Sequence, residues 1–135
     1  MFSEYRGQWI PDSPARRKAI FERFRSWTSF SNSNPMEGII AAIRTFASQE
    51  RKVSIYYLGD DFPGESIQAA LDTVERINRA PDSKPLVRIH AIGFPWPDRV
   101  PQHGSMRFTA LMRMLCEQNG GTFVGMEEQG QKRKS

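Results

Sequence analysis

The chain has 135 residues, about the modal length of one domain and enough to enclose a single core. Hydrophobic residues are 39% and charged residues 25% of it, and nine Phe, three Trp and three Tyr exclude a disordered chain. The formal charge is +4, no apolar run approaches the roughly 20 residues that cross a bilayer, and the single Cys116 excludes both an internal disulfide framework and a multi-cysteine zinc site.

Near the N-terminus no apolar stretch follows the first charges, so a secretory signal is not expected. A cytoplasmic, intracellular protein without a membrane partner is the expectation. YRGQWI, residues 5–10, is a candidate first strand. Ser13-Pro14 then opens a helix, with Ser at the N-cap and Pro at the first helical position. Ile20, Phe21, Phe24 and Trp27 follow at helical spacing and are expected to face a core. Residues 1–52 carry nine Lys/Arg against five Asp/Glu, so the positive excess gathers on and around this helix. Aromatics on the opposite side of the helix from Arg16, Arg17, Lys18, Arg23 and Arg25 do not make a nucleic-acid stripe, which would interleave the two.

Asn34-Pro35 opens the next helix, with Glu37 three residues on as in a capping box and Ile39, Ile40, Ile43, Phe46 and Ala47 on its apolar face. VSIYYLG, residues 53–59, is β-branched, aromatic and too short for a helix; it reads as a strand buried on both faces. The loop DDFPGE leads to a helix with Ile67, Ala70, Leu71, Val74 and Ile77 at helical period. LVRIHAIGF, residues 86–94, is a second buried strand, and the proline-rich PWPDRVPQHGS after it is a loop beside a site. Phe108, Leu111, Met112 and Leu115 mark a last helix, Asn119-Gly120-Gly121 stops it, and TFVGM is a short strand. Residues 127–135 form a basic polar tail after one domain spanning 1–126.

Strands alternating with helices predict an α/β fold, a three-layer doubly wound, Rossmann-like and mostly parallel sheet. In such sheets ligands bind beyond the carboxyl ends of the strands. SNSNP, GDDFPGE and FPWPDRVPQHGS converge there. Asp60 and Asp61, just past a strand end, suit a hard cation such as Mg²⁺ or simply cap the next helix. His90, His103 and Cys116 belong to no nucleophile arrangement, and neither glycine-rich phosphate loop is present. No catalytic residue and no nucleotide cofactor is assigned.

The order of Ser33-Asn34-Pro35, Gly59-Asp60-Asp61, Ile89-His90-Ala91-Ile92-Gly93 and Gly120-Gly121-Thr122-Phe123 resembles the C-terminal two-thirds of a von Willebrand factor type A domain, over residues 5–126. The resemblance implies a metal-ion-dependent adhesion site for Mg²⁺ or Mn²⁺, with Ser33 in the place of the family's threonine and Asp60 in that of its aspartate. The family's D-x-S-x-S is absent and Gly59 and Asp61 depart from its flanking residues. An N-terminally incomplete domain that holds metal weakly or not at all is therefore expected. The function implied is a non-enzymatic protein-interaction module. Two alternatives are a small hydrolase or phosphatase using Asp60 or Asp61, and a homodimer joined through an exposed sheet edge.

Overall fold

The computed structural model describes residues 3–26, 34–63, 66–94 and 103–126, His103 by its backbone alone. The chain divides into two compact units, Met1–Asn32 and Ser33–Ser135. The first holds a short 3-10 helix, Ser3–Tyr5, and α1, Pro14–Arg25. The cap is the expected one: Ser13 Oγ accepts the Arg16 N–H at 3.2 Å, with Pro14 opening the helix. Asp12 accepts from Arg17 through both carboxylate oxygens, at 2.6 Å from Nε, and that bond holds the carboxyl below its ordinary pKa. Residues 5–10 form no strand; they end the 3-10 helix and turn. Of the apolar stripe of α1, Phe21 and Phe24 are 68% and 56% exposed and Ile20 is half-buried, while Trp27 lies outside the described residues. One helix and one turn of 3-10 helix cannot supply the second layer that burial requires.

The second unit runs α2 (Pro35–Phe46), β1 (Val53–Gly59), α3 (Ile67–Ile77), β2 (Val87–Gly93), α4 (His103–Gln118) and β3 (Phe123–Gly125). Asn34 caps α2, its Oδ1 accepting from the N–H groups of Met36 and Glu37. Ser66 caps α3 through the Ala69 N–H at 3.4 Å. The α4 stop is a Schellman turn: Gly120 takes φ +67°, and the Gly121 N–H reaches back to the Cys116 carbonyl at 2.8 Å. Gly121 is required by a close approach as well, because a Cβ there would lie 1.8 Å from the Ile89 carbonyl oxygen.

The three strands form a parallel open sheet in the order β1-β2-β3, with Val53 opposite Val87 and Ala91 opposite Phe123. Both crossovers step the same way across the sheet. Right-handed connections then place α3 and α4 on the same side. The burial pattern agrees. Val53, Ile55 and Tyr57 of β1, Val87, Ile89, Ala91 and Gly93 of β2, and Phe123 of β3 face the helices. Helix α2 packs on β1 and α3, α3 on α4, and α4 on β2 and β3. The α/β order and the parallel ladder are as expected. Among the described residues of the second unit no second helical layer is found, and β1 is buried on one face only, Tyr56 and Leu58 being 67% and 56% exposed.

The core joins Met36, Ile39 and Ile43 of α2, Leu71 and Val74 of α3, and Phe108, Leu111, Met112 and Leu115 of α4 to the inner sheet face. Among these apolar groups sit two buried amides. Asn78, the C-cap of α3, accepts the Val87 N–H at 2.8 Å and donates to the Val87 carbonyl at 2.7 Å and to Asn119 Oδ1 at 2.8 Å. Asn119 donates to the Leu115 carbonyl at 2.7 Å. This clamp ties the ends of α3 and α4 to the start of β2, and its polar atoms are satisfied as buried amides must be.

Candidate functional site at the strand carboxyl ends

A parallel ladder brings all three strand ends to one edge of the second unit. Asp60 and Asp61 follow β1, Phe94 follows β2 with its N–H on the Gly59 carbonyl at 3.0 Å, and Met126 follows β3 with its N–H on the Gly93 carbonyl at 2.8 Å. The two aspartates have separate settings. Asp61 Oδ1 accepts the Phe62 N–H at 2.9 Å and lies against Gly104 in the first turn of α4, where a Cβ would meet it at 1.8 Å. Its carboxylate thus sits where a helix N-terminus favours negative charge. Phe62 beside it is 1% exposed and plugs the core end, with the Arg107 guanidinium 5.3 Å from its ring centroid. Asp60 is half-buried beside Tyr57, whose hydroxyl is pushed above its ordinary pKa by burial and by the Asp60 charge.

Around this acidic lip each strand contributes an exposed apolar side chain, Leu58 at 56%, Phe94 at 45% and Met126 at 52%. Exposed apolar groups along one sheet edge that also carries a charge are what a protein-binding rim looks like. Ser33, the other residue assigned to the metal, lies outside the described residues, as do residues 95–102 of the proline-rich loop and the tail from 127. Among the described residues no group of three or more His, Cys, Asp and Glu could hold a metal ion. The Asn34 amide oxygen next to Ser33 is committed to the α2 cap. Of the two residues assigned to the ion, Asp60 alone is among the described ones, and Mg²⁺ takes an octahedral set of oxygens.

The remaining candidates have structural roles. His90 is half-buried on the outer sheet face; its Nδ1 accepts the Thr122 N–H at 3.1 Å and its ring stacks on Tyr56 at 4.9 Å. Cys116 is buried in α4, and burial pushes its thiol up to about 11, which suppresses thiolate chemistry. At the amino ends of β1 and β2 a cleft of about 530 Å³ runs between residues 48–52 and 80–86. Its Asp82 and Lys84 pair with one another at 2.8 Å. Sequence reasoning gave no sign of that cleft, since it arises where two loops of unremarkable composition meet.

Comparison with protein-family models, with curated proteins and with solved structures finds no match to this chain. Among the described residues no helix is long and apolar enough to cross a membrane.

Proposed function

We infer that the chain is a non-enzymatic protein-interaction module built on a von Willebrand A-like sheet, and that it receives a protein partner at the strand carboxyl ends. One observation carries the reading: an exposed apolar side chain stands at the carboxyl end of each of the three strands, Leu58, Phe94 and Met126, with the half-buried Asp60 just past β1. An apolar rim around one fixed charge suits a partner surface that presents a basic or hydrogen-bonding group amid apolar ones. This reading assigns no step to the adhesion-site ion.

The test is photo-crosslinking from a benzophenone side chain placed at position 94, with the same group at exposed position 72 on α3 as control. The reading predicts a discrete adduct from position 94 that is missing from position 72 and is lost with Asp60→Lys. Identical adducts from both positions would contradict it, and so would turnover of a simple phosphoester abolished by Asp60→Ala. A second reading has its own observation: among the described residues β1 pairs on one side only, through β2, so its outer edge is open to a second copy. Light scattering at two concentrations separates the two, since only the edge-paired dimer changes mass on dilution.

A further inference from the structure

The helices of the second unit cover one face of the sheet, and the other face is apolar. Alternation along the strands puts Tyr56 and Leu58 of β1, His90 and Ile92 of β2, Phe94 just beyond it, and Val124 of β3 on this outer face. Tyr56, Leu58, Phe94 and Val124 are 67%, 56%, 45% and 51% exposed. Together these side chains offer on the order of 500 Å² of mostly apolar surface, near the top of the range for the largest patch on a monomer. Parallel sheets are ordinarily buried on both faces, because their crossovers cover them with helices. Here the described helices of the second unit supply no second cover.

Dimensions and charge specify what fits. Three strands about 4.8 Å apart span about 10 Å between outer axes, the width of one α-helix. Seven-residue strands are about 20 Å long, which about 14 helical residues cover. The face is polarised as well. Its apolar groups lie toward the strand carboxyl ends, whereas exposed Arg88 lies near the amino end, with exposed Lys52 just before β1. No carboxylate occupies positions 54, 56, 58, 88, 90, 92, 94 or 124.

We propose that the outer sheet face docks an amphipathic helix of a partner protein, one with an apolar stripe over Tyr56, Leu58, Ile92 and Val124 and carboxylates at the end that meets Arg88. This surface shares Leu58 and Phe94 with the strand-end rim but runs from there to Tyr56, Val124 and Arg88, and the Arg88→Glu arm below lies outside the rim, so the proposal does not rest on the reading given for that rim.

The probes are two synthetic peptides of about 15 residues with the same leucine stripe at helical period, one ending in a turn of Glu and the other in a turn of Lys. Each is titrated into the isotope-labelled chain, read by amide shifts in β1, β2 and β3. The acidic peptide is expected to bind about tenfold or more tightly than the basic one and to shift residues 54–58, 88–92 and 124. Leu58→Asp weakens it by about tenfold or more, and Arg88→Glu reverses the preference between the peptides. Asp72→Ala, on the exposed side of α3, changes neither affinity. The dispersion of the amide spectrum reports whether Leu58→Asp is folded, and Arg88→Glu, a surface change, carries the test if it is not. Equal binding of the two peptides, or no binding by either at about 1 mM, a concentration at which a fitting helix would bind detectably, overturns the proposal. So does a concentration-dependent dimer lost in Leu58→Asp, which would assign the face to a second copy.

Discussion

Replacing Asn78 with alanine removes an amide that bridges three elements of the core. Asn78 is 0% exposed, and the change deletes one accepted and two donated hydrogen bonds of 2.7–2.8 Å. The Val87 N–H and the Asn119 Oδ1 are then left in a space that excludes water. Each buried orphan costs about 1–3 kcal/mol, so the sum is about 3–5 kcal/mol once partial relaxation is allowed. Against a whole stability of about 5–15 kcal/mol this is a large loss. It corresponds to a fall in Tm of about 10–20 °C for a chain of this length. Asn78→Asp keeps the acceptor for the Val87 N–H but sets an oxygen against the Val87 carbonyl and Asn119 Oδ1, so it is expected to cost as much or more. Thermal and urea unfolding of both variants, followed by circular dichroism, provide the measurement. A Tm within about 3 °C of wild type for Asn78→Ala would refute the reasoning, since it would mean the clamp contributes less than about 1 kcal/mol.

Gly121→Ala is expected to destabilise more than Gly120→Ala. The first drives a Cβ into the Ile89 carbonyl, whereas the second incurs only the left-handed backbone cost of about 1–2 kcal/mol at φ +67°; urea midpoints rank them. The Cys116 thiol is expected to resist an aromatic disulfide reagent in the folded chain and to react at once in denaturant. Because the folded thiol keeps its proton up to about 11 and the unfolded one loses it near 9, the folded state binds more protons in that window. Stability therefore falls as pH rises from 9 toward 11 and less so in Cys116→Ala. Calorimetric titration with Mg²⁺ or Mn²⁺ up to about 1 mM is expected to give no saturable heat. Saturable binding lost in Asp60→Ala would restore the adhesion-site reading.

Local chemistry was the most legible part of the sequence. Ser13-Pro14, Asn34-Pro35 and Asn119-Gly120-Gly121 announce helix ends because a cap is made by residues within a few positions of each other. The buried faces of α2, α3 and α4 followed from period alone. Burial of β1 did not, because a short apolar run reads the same whether one face or both is covered; Tyr56 and Leu58 show the difference only once the crossovers have put the helices on one side. The same limit applies to Phe21 and Phe24, whose spacing is helical but whose unit has no second layer among the described residues. Asn78 looked like an ordinary helix stop, and its partners Val87 and Asn119 are nine and 41 residues away. At the candidate site, Asp60 and Asp61 stood out as acids past a strand end. That Asp61 packs on Gly104 while Asp60 stays with Tyr57 depends on where α4 begins, 42 residues downstream of Asp61.

The central claim is that a protein partner binds at the strand carboxyl ends. The most direct measurement is the amide spectrum of the isotope-labelled chain, alone and with the protein captured by the crosslink from position 94. The account predicts shifts gathered at residues 58–62, 94, 104–106 and 124–126, and their loss in Asp60→Lys. Shifts confined to the outer surfaces of α2 and α3, or unchanged by Asp60→Lys, would contradict it.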